Sequence, residues 1–275
     1  MNYICVQPDK PLFIWQLKVL LNSLYKLGIN KENIFLPTLL EGREEPSPEF
    51  RKLEKFANVY YYHEREEFKA NGRYYLPSSK PYLYAKFFEQ HNYLLKGDFF
   101  YIESDMLLHE IPTLQSKEGT YYWSNASKWL EVNKYETILG HRFDLTETSF
   151  GFHCIGKGIP SDIWYQIEKD SNELYKWLIQ NLTTEENIWI CEMRAWMWNM
   201  KKHFINIVSE ELNFNDGRGI KKPFKLHHQL DNRVFKKRDY IDSDPWNITM
   251  NIDPAFSLSD YIKAIKETGK SIFNQ

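Results

Sequence analysis

Three groups of residues in this chain carry side chains whose types and spacing could do chemistry. The first is Glu103-Ser104-Asp105, two carboxylates at i and i+2. At the end of a strand, such a pair can reach one hard cation. Mg²⁺ and Mn²⁺ prefer these oxygens and share them with water and substrate phosphates. A cation held there would act as a Lewis acid and neutralise a leaving diphosphate. An acidic triplet by itself is equally a solvated loop. Its setting favours the site: Phe99-Phe100-Tyr101-Ile102 runs directly into it, and Met106-Leu107-Leu108 resumes the apolar run behind it.

The second group is His227-His228, preceded by the basic, glycine-bearing stretch Gly217-Arg218-Gly219-Ile220-Lys221-Lys222. Neutral imidazoles are common metal ligands, and a loop of this composition can fold over phosphates. The bland reading is a pair of packing histidines beside a surface loop. The third is Glu192, flanked by apolar residues in a helical pattern. Such surroundings raise a carboxyl's proton affinity and suit a general base acting on an acceptor hydroxyl. A helical glutamate paired with Arg194 or Lys202 is the alternative.

The elements that would position these groups alternate between strand and helix. Tyr3 to Val6 reads as a buried strand. Asp9 is placed to cap a helix that has Pro11 in its first turn, Ile14, Leu17, Leu21 and Leu24 at helical spacing, and Gly28 as its stop. Asn33 to Leu36 and Val59 to Tyr62 are further strands. A helix opens at Ser78-Ser79-Lys80-Pro81 and carries Tyr84, Phe87, Phe88 and His91 on one face. The strand from Phe99 to Ile102 follows, then strands over Thr120 to Trp123 and Ser149 to Ile155. Helices are expected over Ile163 to Ile179 and, after a capping box at Thr183 and Glu186, through Trp189, Met193, Trp196 and Met200. Lys201 to Arg238 is irregular and basic. Ser257 with Asp260 caps a last helix that ends near Gly269. A βαβ opening implies a parallel sheet, and in open α/β sheets ligands bind beyond the carboxyl ends of the strands. The acidic turn sits at such an end.

Composition bounds the rest. The chain has 275 residues, 43% of them hydrophobic and 16% aromatic, enough for a sizeable core. A net charge of −2 argues against binding polyanions through a global field. The cysteines, Cys5, Cys154 and Cys191, are odd in number and far apart, which fits a reducing compartment. The start of the chain lacks the layout of a signal peptide, and no stretch is apolar enough to span a bilayer. The expected setting is the cytoplasm, with no membrane partner and with silent sequons at Asn125, Asn181 and Asn247. Oligomeric state does not follow from the sequence.

Taken in order, these segments resemble the GT-A glycosyltransferases, and more closely a phage-encoded group among them. The resemblance is carried by the aromatic strand ending in Glu103-Ser104-Asp105, by Tyr122-Trp123-Ser124, by Ser149-Phe150-Gly151, by Trp189 to Asn199 with Glu192-Met193 at its centre, and by His227. It covers about three quarters of the chain. It implies an α/β, GT-A-like fold with a single Rossmann-like mixed sheet flanked by helices. Residues 1–110 would form the nucleotide-sugar-binding half of the domain and residues 111–275 the acceptor-binding half. It implies a nucleotide-sugar donor (a UDP-sugar) and a divalent metal cofactor, Mn²⁺ or Mg²⁺, held by Glu103, Asp105 and His227. Donor contacts would fall on Val6, Gln7, Asp9, Lys80, Lys86, Glu103, Ser104 and Asp105. Glu192 would be catalytic, and Trp123, Ser149, Trp189 and Trp196 would meet the acceptor. The chain departs from the pattern at Asn125, where the group has Asp, at Phe150-Gly151-Phe152 in place of a double glycine, and at His228-Gln229-Leu230 in the late loop.

The expected activity is transfer of a sugar to an acceptor hydroxyl. By analogy with phage enzymes, hydroxymethylated pyrimidine in DNA is the first acceptor, and Lys201-Lys202, Lys221-Lys222 and Lys236-Lys237-Arg238, interleaved with Phe224 and Phe235, could meet it. A glycan or small-molecule acceptor, a metal-dependent nuclease and a non-catalytic binding module are the alternatives.

Overall fold

The computed structural model describes residues 1–63, 69–70, 73–74, 76–128, 130, 135–140, 149–181 and 190–274. In chain order it begins with β1 (Asn2–Ile4), β2 (Gln7–Pro8), α1 (Pro11–Lys26), β3 (Ile34–Leu39), α2 (Pro48–Arg51) and β4 (Asn58–Tyr62). A short hairpin, β5 (Lys69–Ala70) and β6 (Arg73–Tyr74), precedes α3 (Ser79–Gln90) and β7 (Asp98–Tyr101). Then come β8 (Met106–Leu108), β9 (Thr120–Asn125), β10 (Phe150–Lys157), α4 (Ser161–Asn181) and α5 (Cys191–His203). The last elements are β11 (Ile205–Val208), β12 (Phe214–Asn215), β13 (Leu226–His228) and α6 (Leu258–Thr268).

The central sheet is mixed. β1 and β2 are two pieces of one extended segment, both parallel to β3, and β4 lies parallel on the far side of β3. On the other side β7 pairs in parallel with β1, then come β10, β9 and finally β11 at the edge. β10 runs antiparallel to both its neighbours, β7 and β9. A period of two sends alternate side chains to opposite faces. Tyr3, Cys5, Phe100, Ile102 and Ile155 therefore pack with Ile14, Leu17, Leu20, Leu21 and Leu24 of α1. Ile4, Val6, Phe99, Tyr101 and Cys154 pack on the other face with α3, α4 and α5. A third cluster joins Trp15 and Val19 of α1 to Tyr261, Ile262 and Ile265 of α6.

Helix ends follow the expected signals in part. Gly28, at φ +77°, stops α1, and Ile29 N donates to Leu24 O at 3.1 Å. Asp9 does not cap that helix. Lys10 takes the cap position with no side-chain bond. The buried Asp9 carboxylate accepts instead from the Ser47 amide and hydroxyl, both at 2.6 Å, and pairs with Arg43 at 3.1 Å. A buried carboxylate needs several donors, and the loop after β3 supplies them where a helix end supplies one or two. Ser257 likewise gives α6 no side-chain cap, since its hydroxyl donates to Gly219 O at 3.1 Å. The expected capping box at Thr183 and Glu186 lies outside the described residues.

A second, smaller sheet runs β12-β13-β8. It decides the geometry of the site. β8 continues directly from the acidic turn, and β13 pairs antiparallel to it, with His227 opposite Leu107 and His228 opposite Met106. This pairing carries the late histidines about 120 residues back to the end of β7.

Candidate active site

Glu103-Ser104-Asp105 leaves the carboxyl end of β7, between two parts of the core. Each residue is turned a different way. Glu103 faces α3, where Lys80 Nζ donates to both carboxylate oxygens, at 2.8 and 2.9 Å. Ser104 faces α1: its hydroxyl donates to the buried Gln16 side chain at 3.0 Å, which fixes the middle of the turn. Asp105 faces β13. One carboxylate oxygen lies 3.1 Å from His228 Nε2, and the other accepts from Lys237 Nζ. Gln229 N donates to the Asp105 carbonyl at 2.9 Å, so the second sheet holds the turn through its backbone as well.

The charges around the turn set its proton affinities. Burial alone would raise the Asp105 carboxyl, but Lys237 and His228 outweigh it and hold the group well below the usual carboxylate range. Burial would also lower the Lys80 ammonium; Glu103 first, then Glu192, reverse that and raise it. Glu192, buried at the start of α5, lies 3.7 Å from Lys80 Nζ. Desolvation pushes its carboxyl up to about 7, and Lys80 opposes the rise. Lys80 thus links two carboxylates: one fully ion-paired, the other poised to exchange a proton near neutrality.

The two histidines separate. Successive side chains of β13 point to opposite faces, so only His228 meets Asp105. His227 points the other way. It stacks on Tyr261 of α6 with ring centroids 5.6 Å apart and interplanar angle 13°, and its Nε2 meets Gln229 Oε1 at 3.0 Å. Desolvation brings the His227 imidazole down to about 4. His153 of β10, behind His228, is held near 3 by burial and shares Leu212 O at 3.0 Å. A register shift between Gly151 and Cys154 bulges β10, and Phe152 within it has φ +65°. Its half-buried ring packs 5.1 Å from His228 and 5.5 Å from Phe214. A bulky residue in the left-handed region is uncommon, and such strain concentrates at functional sites.

A divalent cation fits part of this donor set. Neighbouring ligands of an octahedral Mg²⁺ or Mn²⁺ stand about 3 Å apart, given bonds of about 2.1 Å. Asp105 and His228 meet in a direct contact of 3.1 Å. Their oxygen and imidazole nitrogen are ligand types that Mn²⁺ accepts. Glu103, two residues away, has both oxygens on Lys80. Among the described residues, no three His, Cys, Asp or Glu side chains are gathered closely enough to hold a metal.

The other residues expected at the site are placed as follows. Val6 lies in the core, and Gln7 is buried at the β2 pairing. Asp9 is engaged by Ser47 and Arg43. Lys86 pairs with Glu89 at 2.8 Å, well along α3 from Lys80. Trp123 and Trp196 are core residues in contact with each other, with ring centroids 5.1 Å apart, and Trp123 Nε1 donates to Asn206 Oδ1 at 2.8 Å. Both rings are buried. Ser149 is buried just before β10 and accepts from the Ala126 amide through its carbonyl at 3.2 Å. Trp189 lies outside the described residues. Sequence reading missed the engagement of Lys237, which looked like one member of a basic run, and the left-handed Phe152. No local spacing signals either.

Among solved structures the chain is similar to the galactosyltransferase LgtC in complex with donor and acceptor sugar analogues. The TM-score is 0.56 at 11% identity, over 97% of this chain and 96% of that one. The chain has the GT-A glycosyltransferase fold. A structure of an active-site mutant of LgtC matches at a TM-score of 0.55 and 12% identity, over 98% of this chain and 95% of the other. No protein family matches the sequence, and no curated protein does. The GT-A likeness spans both the central sheet and the part of the chain that carries β12, β13 and α6. No helix among the described residues is long and apolar enough to cross a membrane.

Proposed function

We propose that this chain is a glycosyltransferase that moves a sugar from a nucleotide-sugar, a UDP-sugar first, to an acceptor hydroxyl with the help of a divalent cation. One observation carries the reading. Four stretches far apart in sequence, at Lys80, Glu103 to Asp105, Glu192 and His228 to Lys237, converge at the carboxyl end of β7 in a GT-A fold. That is where the topology of an open α/β sheet places a ligand.

In the reaction the bond between the anomeric carbon and the diphosphate oxygen breaks, a bond from that carbon to the acceptor oxygen forms, and the acceptor loses a proton. A bound Mn²⁺ or Mg²⁺ would supply Lewis-acid neutralisation of the leaving diphosphate. Asp105 and His228 would hold it, with Glu103 as third ligand once Lys80 yields; of the two late histidines, His228 would be the ligand because it is the one that meets Asp105. Lys80 and Lys237, once off those carboxylates, would supply positive charge beside the leaving group. Glu192 is the residue to take the acceptor proton. Its raised proton affinity matches a base working near neutral pH. Residues 1–110 would then serve the donor and residues 111–275 the acceptor.

For the acceptor, hydroxymethylated DNA is tested first because Lys201, Lys202, Lys222, Lys236 and Arg238 could meet phosphates. Within that basic set, Lys221 pairs with Asp260 at 2.8 Å, Lys237 with Asp105 and Arg238 with Asp231 at 3.5 Å. A glycan or small-molecule acceptor is the second reading. Calorimetry with a panel of nucleotide-sugars and Mn²⁺ tests the donor half. Binding should appear in the wild type and fall at least tenfold in Glu103→Ala and Asp105→Ala. A folded protein that binds none of the panel sinks the proposal. Mass spectrometry of hydroxymethylated DNA and of oligosaccharides after incubation then separates the acceptors.

A further inference from the structure

We infer that Lys237 is a built-in competitor of the divalent cation: its ammonium occupies the Asp105 carboxylate, so a metal ion binds this corner firmly only when Lys237 has left. The inference deepens the proposed glycosyltransferase reading by naming how its metal corner is regulated.

The observations are geometric. Asp105 is buried, with one oxygen on His228 Nε2 at 3.1 Å and the other on Lys237 Nζ. Lys237 is held a second time, since it donates to Gln229 O at 2.7 Å. The Lys237 backbone amide donates to Asp231 Oδ1 at 2.8 Å, which anchors the backbone beside the site. Glu103 is closed in the same way, by Lys80 on both oxygens. Each carboxylate of the acidic turn therefore carries an internal cation.

A cation that enters must displace an ammonium from a carboxylate in a poorly solvated corner, where charge interactions are strong. The exchange leaves Lys237 without its carboxylate and adds positive charge at the mouth of the site. An anionic ligand arriving with the metal gives that ammonium a new partner. Metal and diphosphate then bind with positive coupling, each weak alone.

The test uses the full chain and Mn²⁺ alone, titrated by electron paramagnetic resonance with no nucleotide present. Wild type should bind weakly. Lys237→Met should bind at least tenfold more tightly, and Asp105→Ala in the Lys237→Met background should remove the gain. Lys237→Arg, which keeps the charge, should stay near wild type. Circular dichroism and thermal melts confirm that each variant is folded, and Lys237→Gln serves if Lys237→Met is not. Equal or weaker Mn²⁺ binding in the folded neutral variants, or none in any of them, overturns the inference. The donor reading fails separately: a Lys237→Met gain with no nucleotide-sugar bound by any variant would leave the competitor standing and the transferase reading refuted.

Discussion

Glu192 is the residue whose chemistry depends most on its surroundings. Its carboxyl is buried, and desolvation raises it from 4.5 to about 7 against the pull of Lys80. As the proposed base it would work deprotonated, so transfer should climb as pH rises through about 7 and then level. Glu192→Gln should keep donor binding and lose at least ~10²-fold in turnover, with no such climb; single-turnover rates across pH 5.5 to 9, roughly the span on either side of that value, check both. Stability runs the other way. A carboxyl raised on folding contributes stability that is present below about 4.5 and is lost as pH rises through about 7. Glu192→Gln should abolish that loss in thermal melts. Phe152 poses a different test. Its φ of +65° costs roughly 1–3 kcal/mol, which its ring contacts with His228 and Phe214 offset. Phe152→Gly removes strain and ring together. The expected outcome is a stability change within about 1 kcal/mol by urea unfolding, with at least a tenfold fall in kcat/KM. Unchanged kcat/KM would mean that the strained ring serves packing alone. The residue scale also marks where sequence reading stops. The placement of Glu103 and Asp105 just past a strand end and of Lys80 at a helix start was legible from the residues that flank them. That His228 and not His227 faces Asp105 was not, since it depends on the register of β13 against β8, a pairing across about 120 residues.

At the scale of elements, the strands and helices with local signals were read well. α1, α3, β7 and α4 lie within a few residues of their expected bounds, because apolar periodicity faces a core on one or both sides. β11 was missed for a physical reason. It is an edge strand whose Ile205 and Ile207 are 64% and 42% exposed, so its apolar residues mark the solvent side. β12 and β13 are short and pair only with distant partners. The sheet also contains a tight fit that no motif announces. A Cβ on Gly156 of β10 would stand 2.1 Å from the ring of Tyr121, which is buried and packs against Phe204 with centroids 4.8 Å apart. Gly156→Ala must push that ring into a filled core, at a cost of about 1–3 kcal/mol. Urea unfolding should show the midpoint falling with an unchanged slope. Since β10 lies between β7 and β9, the same substitution should also loosen the strand that ends in the acidic turn.

For the whole molecule, the proposed reading implies coupling between two ligands that would meet at one corner. A ligand that binds the folded chain stabilises it by about 2.7 kcal/mol at a hundred times its dissociation constant. In a chain of 275 residues each kcal/mol moves the melting temperature by roughly 2–4 °C. A nucleotide-sugar together with Mn²⁺ should therefore raise Tm by about 5–10 °C at such concentrations. With Lys237 on Asp105, the metal alone should raise it by much less, and so should the nucleotide alone. The shift from both should exceed the sum of the separate shifts. Lys237→Met should reverse the pattern: a clear shift with Mn²⁺ alone and a smaller excess when the nucleotide is added, because the ammonium that the diphosphate would have received is gone. Additive shifts in the wild type would show that donor and cation bind independently. The acidic turn would then act as two separate ion pairs rather than as one exchangeable site, and the convergence of Lys80, Glu103, Asp105, His228 and Lys237 would serve to hold the second sheet against the first.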